Sequence, residues 1–366
     1  MHKILYIVFI LGVSLSSINE LTCIVKINKL GGFVVEEDVV SPKFSGAGFF
    51  AGSWQDSVSA FISKSTNSRP AYVRFRNHFD YKLFDMVHVD KVFKGKNDYL
   101  FYGSPYYMKG LGNKSLSEMK ENVIKLKGIQ DSLRKIGVQV LYAIAPEKMF
   151  VYPEFLPADY SFSNDIRFSY DKYIQLFDDS DLDYIDFNDW FIKMKGNSSY
   201  ALFGKGGKHW THYYAAKAAD SIGDFLRVRG CKVGDFEFIH SVEKGNVWIQ
   251  DVDTWSAANL PFSYEDDNIA EVDYKVQENN NNDDVVYLTD SYYHVISWSG
   301  IFKSMHGENS EFWYYNKERN DVENRSLGQT SDEVFREKKA KAYIILISVG
   351  NLQIFDFGFI DYFDEK

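Results

Sequence analysis

The run Val138-Gln-Val-Leu-Tyr-Ala-Ile-Ala145 constrains the fold of this chain more than any other stretch. It is almost unbroken in its apolar character and of strand length, so it reads as a β-strand covered on both faces, as in a parallel sheet. Ahead of it, Ser115 to Lys135 reads as a helix, with Ser117 and Glu118 near its start and Val123, Leu126, Ile129 and Leu133 at helical spacing. Gly137 stops that helix. Helix followed by strand makes one α/β unit whose strand ends at Pro146-Glu-Lys-Met149, and in open α/β sheets that end is where ligands sit.

The alternation continues along the chain. A short helix at Tyr170 to Phe177 precedes a strand at Leu182 to Phe187, and Val285-Val-Tyr-Leu-Thr-Asp-Ser-Tyr-Tyr293 reads as a buried strand running into Thr-Asp-Ser291. A helix at Tyr293 to Ser304, a strand at Glu311 to Asn316, a charged helix at Ser331 to Lys341 and a last strand at Tyr343 to Val349 complete the series. Gly95-Lys-Asn-Asp98 is turn chemistry between apolar segments, so Val92 to Tyr102 reads as a hairpin. Phe236 to Trp248 and the loop holding Trp255 and Pro261 read as irregular, and Asn279 to Asp284 as a polar turn. Between Lys26 and Arg69 the periodicity is mixed, with Phe49, Phe50, Trp54 and Phe61 expected to pack. The expected architecture is a three-layer α/β/α domain with a mainly parallel central sheet. With 366 residues, 45 % of them hydrophobic, a single domain over 26–366 has ample core.

Residues 1–25 read as a signal peptide or signal anchor, because Met1-His-Lys is followed by an apolar run from Ile4 to Leu15. The body is therefore expected in the periplasm or at the outer face of the cytoplasmic membrane. A net charge of −10 without a basic run excludes a phosphate-backbone partner, so no nucleic acid is expected. Two cysteines, Cys23 and Cys231, supply neither a disulfide framework nor a zinc set, although one bridge between them is open. No metal or cofactor is called for.

Two short stretches carry chemistry. In Gly204-Lys-Gly-Gly-Lys-His-Trp-Thr211, glycines permit close backbone approach, Thr211 is placed to cap an alanine-rich helix, and His209 is held at the junction. Far downstream, Ser291 sits where a buried strand enters a helix, the position at which hydrolase-like α/β enzymes present a nucleophile.

Together with Gly95 to Phe101, Ala145 to Pro157 and Leu288 to Tyr292, these stretches resemble the AlgJ/AlgX-like group of SGNH hydrolase-like proteins, also called DHHW proteins. The resemblance covers nearly the whole body and includes a permuted order, with His209 ahead of Ser291. It implies an SGNH hydrolase-like fold and an exported or membrane-anchored O-acetyltransferase, acting on a cell-surface or secreted polysaccharide through an acetyl-serine. It also implies a polysaccharide acceptor and a membrane-bound O-acyltransferase that supplies acetyl groups. Ser291 would be the nucleophile and His209 its base.

One position departs from that pattern. The family reads Asp-x-His-Trp, and here Gly207 stands two residues before His209. The options are a dyad, orientation of His209 by a backbone carbonyl, a carboxylate from elsewhere such as Asp186, or a non-catalytic relative. The last would be a glycan-binding or scaffold protein, with Trp255 and Trp313 as candidate exposed aromatics; a carbohydrate acetylesterase is a further alternative.

Overall fold

The computed structural model describes residues 2–22, 24–31, 40–103, 114–158, 160, 164–241, 249–260, 268–276 and 281–363. Cys23, Trp248, Pro261 and Asn279 lie outside the described residues, so the Cys23–Cys231 pairing is not addressed; Cys231 itself is buried. The chain divides into two compact units, Met1–Asp90 with Thr254–Tyr264, and Lys91–Asp253 with Glu265–Lys366.

The first unit is helical. Helices α1 (His2–Thr22), α2 (Gly46–Ala51), α3 (Ser53–Ser65) and α4 (Arg69–Phe84) follow one another. Among the described residues no helix is long and apolar enough to cross a membrane. The segment after Asp253 belongs to this unit because Trp255 stacks edge-on against Tyr81, with centroids 5.5 Å apart, and Asn77 Nδ2 donates to the Ala258 carbonyl at 2.8 Å.

The second unit opens with the expected hairpin, β1 (Val92–Lys94) and β2 (Leu100–Tyr102), paired antiparallel. Next come α5 (Leu116–Lys135), β3 (Gln139–Ala145), α6 (Lys148–Val151), α7 (Asn164–Ser180), β4 (Tyr184–Asp186), α8 (Phe187–Met194) and α9 (His212–Val228). Helix α5 is fixed at its start by a capping box, in which Ser115 and Glu118 each bond the other's backbone. Strand β5 (Phe236–Ser241) pairs antiparallel with β6 (Glu271–Val276), with α10 (Asp253–Ala257) between them in sequence. Sequence reading left β5 irregular because the partner that orders it lies 30 residues downstream or more. Then follow β7 (Val285–Thr289), α11 (Tyr293–Trp298), α12 (Ile301–Met305), β8 (Glu311–Tyr314), β9 (Glu318–Asp321), β10 (Ser326–Gln329), α13 (Asp332–Glu337) and β11 (Ala342–Ser348). The one helix expected from Tyr293 to Ser304 is two, broken where Gly300 takes φ +78°.

Seven strands form the central sheet in the order β10-β9-β8-β7-β11-β3-β4. Pairs β8·β7, β7·β11, β11·β3 and β3·β4 are parallel, and β9 and β10 extend one edge antiparallel. Period-two alternation splits each central strand between two cores. Leu141, Ala143, Tyr287, Ile344 and Leu346 face the core built with α8, α9, α11 and α12. Val140, Tyr142, Ile144, Leu288, Ile345 and Ile347 face the core built with α5 and α7. The three layers follow from that division, as expected.

The first of these cores holds a histidine whose ionisation is disfavoured. His306 is buried beside Tyr287, whose hydroxyl lies 3.2 Å from its Nε2, and burial pushes the imidazole down to about 3 from an ordinary value near 6.5. Below pH 6.5 the unfolded chain binds a proton that the folded chain refuses, so stability is lost as pH falls from about 6.5 toward 3. Urea unfolding at pH 7, 5 and 4 should show this decline, and His306→Gln should remove on the order of 2–4 kcal/mol of it.

Candidate active site

The carboxyl ends of the parallel strands gather the chemistry. Strand β7 ends at Thr289, and the turn that follows is locked by the buried Asp290. Asp290 Oδ1 accepts from the Tyr292 N–H at 3.1 Å; its Oδ2 accepts from the Ser348 N–H, the Ser348 hydroxyl and Asn351 Nδ2 at 2.9, 2.6 and 2.8 Å. A carboxylate satisfied by four donors holds its turn rigidly, and that turn presents Ser291.

His209 arrives on the loop that leads into α9. Its Nε2 lies 2.9 Å from Ser291 Oγ, so the structure brings together the two residues singled out from sequence. Each loop grips the other through the residue after its reactive group. Trp210 Nε1 donates to the Tyr292 carbonyl at 3.1 Å, and the Tyr292 hydroxyl donates to the Lys208 carbonyl at 3.3 Å. Trp210 and Tyr292 are both fully buried, so this mutual clasp is shielded from water.

The second ring nitrogen has a partner that sequence reading missed. His209 Nδ1 lies 2.6 Å from Asp253 Oδ2, and Asp253 Oδ1 accepts from the Lys208 N–H at 2.8 Å. A carboxylate at Nδ1 places the ring proton there and leaves the Nε2 lone pair facing the serine hydroxyl. The His209 and Asp253 side chains keep 14 % and 30 % of their exposure, so the site is reachable from solvent.

Asp186, offered from sequence as a possible orienting carboxylate, is placed elsewhere. It caps α8, accepting from the Asn188 and Asp189 N–H groups at 2.9 and 3.0 Å, and its other oxygen takes the Tyr170 hydroxyl at 2.6 Å. Burial raises its pKa, a sign of a carboxylate built into its surroundings.

Gly207 has a steric reason. A Cβ there, or at Gly204, would overlap the Asp251 carbonyl oxygen. That close approach lets the Asp251-Val-Asp253 segment lie along the loop, where Asp251 Oδ1 accepts from the His212 N–H at 2.9 Å and caps α9. Thr211, expected to cap, instead turns its hydroxyl to the Ala201 carbonyl at 2.8 Å. The signal for Asp253 was an Asp-x-Asp pair 44 residues beyond the histidine, which only the folded chain connects.

Glu147, at the end of β3, adds a further carboxyl, and burial pushes it up to about 7. Its Oε2 lies 3.4 Å from where a Cβ on Gly350 would stand, next to Asn351. Trp313 is fully buried and donates to Glu311 at 2.8 Å, so it is a core residue. Among the described residues no group of three or more His, Cys, Asp or Glu is arranged to hold a metal ion. A groove of about 580 Å³ lies at the opposite, amino-terminal ends of the central strands, beside Val138, Asp284 and Lys341, and is lined by neither Ser291 nor His209.

The tight fit at Gly207 predicts that Gly207→Asp, although it writes the family's aspartate into the loop, displaces Asp251 and costs about 1–3 kcal/mol. Thermal melts of the two chains measure this. A variant as stable as the parent would contradict the steric account.

No curated protein matches the chain. Residues 92–242 match the family described as "SGNH hydrolase-like domain, acetyltransferase AlgX". Three solved structures are similar at low identity. The O-acetyltransferase domain of Pseudomonas putida AlgJ is 17 % identical, with TM-score 0.44 over 72 % of this chain and 92 % of that one. Pseudomonas aeruginosa AlgX is 14 % identical, with TM-score 0.43 over 74 % of this chain and 67 % of that one. Bacillus cereus PatB1 is 12 % identical, with TM-score 0.44 over 75 % of this chain and 98 % of that one. The resemblance read from the motifs is borne out by the family match over residues 92–242, and the α/β fold around the central sheet is SGNH hydrolase-like.

Proposed function

We propose that this protein is a polysaccharide O-acetyltransferase in which Ser291, His209 and Asp253 act as nucleophile, base and orienting carboxylate. One observation carries the reading: His209 stands between Ser291 Oγ at 2.9 Å and Asp253 Oδ2 at 2.6 Å. That is hydrogen-bond reach on both sides of a general base.

In the first half-reaction the Ser291 oxygen attacks the acetyl carbonyl while its proton passes to His209 Nε2. The bond to the donor's leaving group then breaks, and the imidazolium returns the proton to that group. In the second, a sugar hydroxyl gives its proton to Nε2 and attacks the acetyl-serine, and Ser291 recovers a proton as the ester bond breaks. The Tyr292 N–H is held by Asp290, so the backbone group offered to the oxyanion is the N–H of Ser291 itself. The acceptor is a polysaccharide at or beyond the cell surface, and the apolar run from Ile4 to Leu15 carries the body there. A membrane-bound O-acyltransferase supplies the acetyl group. The scaffold reading rested on Gly207 and on Trp255 and Trp313 as exposed aromatics; Asp253 stands at Nδ1, Trp313 is in the core and Trp255 is half-buried against Tyr81, which favours the enzyme.

Turnover of p-nitrophenyl acetate tests the roles. Ser291→Ala and His209→Ala should each abolish it, and Asp253→Asn should lower kcat on the order of 10⁴-fold, as expected when the wrong tautomer is held. Asp186→Asn should stay within a few-fold of the parent. Undiminished turnover in Ser291→Ala would remove the nucleophile assignment. With an oligosaccharide present, acetyl should appear on sugar; release to water alone would make the protein an acetylesterase.

A further inference from the structure

The loop that carries His209 is gathered from beneath by a buried lysine. Lys148, at the start of α6, is 2 % exposed, and its ammonium donates to the carbonyls of Leu100 at 2.9 Å and of Gly204, Lys205 and Gly207 at 2.7 Å each. The rings of Tyr99 and Phe101 lie 5.3 and 5.5 Å from the same nitrogen. The Leu100 N–H in turn donates to the Lys205 carbonyl at 2.8 Å, so β2 and the loop share one anchor.

Four carbonyl oxygens converging on one point repel one another unless a cation sits among them. Three N–H groups serve four acceptors, with the aromatic faces adding attraction, so the ammonium occupies the place that a coordinated monovalent cation takes in other cages. The opposite face of the same turn receives the Asp251 carbonyl at Gly204 and Gly207. The turn is therefore clamped between Lys148 and Asp251, two residues ahead of His209.

We propose that Lys148 is a positioning residue for the reaction: its ammonium sets the height of the 204–207 turn and, through it, the seating of His209 against Asp253 and Ser291. The inference rests on the functional reading above for its consequence in rate, but not for its geometry. Removing the ammonium leaves the four carbonyls without their cation and lets the turn shift. A displacement of about 1 Å at a catalytic group costs on the order of 10²-fold in rate.

The test uses the full chain with Lys148→Met and Lys148→Ala. Two readouts are taken: kcat and KM for p-nitrophenyl acetate, and the far-downfield NMR signal of the His209 proton shared with Asp253. In both variants kcat should fall on the order of 10²-fold with KM within about two-fold, and the downfield signal should broaden or vanish while the folded fraction remains. Adding n-propylammonium, which replaces the three carbons and nitrogen missing from Lys148→Ala, should restore signal and kcat in a saturable way. Tetramethylammonium, which has no N–H, should restore neither. A folded Lys148→Met with the signal intact overturns the inference whatever its turnover, and so does a chain that cannot fold with any amine, because Lys148 would then serve only the core. Absence of Ser291-dependent turnover in the unaltered chain would sink the functional reading alone, since the NMR signal reports seating without it.

Discussion

The contact on which the site depends is between backbones: the Asp251 carbonyl pressed against Gly204 and Gly207. Nothing larger than hydrogen fits on those two α-carbons. Because of that fit, a segment more than 40 residues downstream of His209 runs alongside the histidine loop and delivers two carboxylates with different tasks. Asp251 satisfies the first N–H of α9, while Asp253 reaches both the Lys208 N–H and His209 Nδ1. A side chain at 207 would supply a carboxylate locally at the cost of excluding the segment that supplies one from outside. The two solutions compete for the same volume, and this chain has the second.

What could be read in advance follows from the range of the interactions involved. Strands β3, β7 and β11 were legible because burial on both faces demands an unbroken apolar run, which needs no knowledge of the partner strand. Ser291 and His209 were legible because each sits where a periodic segment changes type. Asp253 was not, since nothing next to it in sequence announces a histidine. Asp186 misled for a related reason: a carboxylate at the end of a strand looks alike whether it serves a catalytic group or the two N–H groups of the next helix, and here it serves the helix. Strand β5 was missed because its pairing partner β6 lies 30 residues or more downstream.

The two halves of the site are held by different physics. On the serine side, Asp290 accepts three hydrogen bonds from β11 and its outgoing loop and one from the Tyr292 N–H of its own turn, so the nucleophile turn is tied directly to the sheet. On the histidine side the loop is tied to the short strand β2 through the Leu100 N–H on the Lys205 carbonyl, and the turn is fixed by a buried ammonium below and a carbonyl above. The Trp210 and Tyr292 clasp joins the halves. A rigid half and a clamped half, coupled at one buried and one part-buried hydrogen bond, keep a 2.9 Å contact that neither loop would hold alone.

Three carboxyl groups at these strand ends show how environment separates function. Asp290 is buried but surrounded by donors, so its charge is spent on holding a turn. Asp253 is part-exposed and faces an imidazole, which keeps it available to stabilise a positive ring as the serine proton moves across. Glu147 is the reverse case, with burial raising it to about 7, so that its charged form is disfavoured relative to an exposed carboxyl. Had Glu147 been ionised as readily as an exposed carboxyl, a further negative charge would stand near Asp290. The disfavoured ionisation of Glu147 limits that repulsion. The same burial that makes the strand ends a site therefore also sets which of its acids carry charge there.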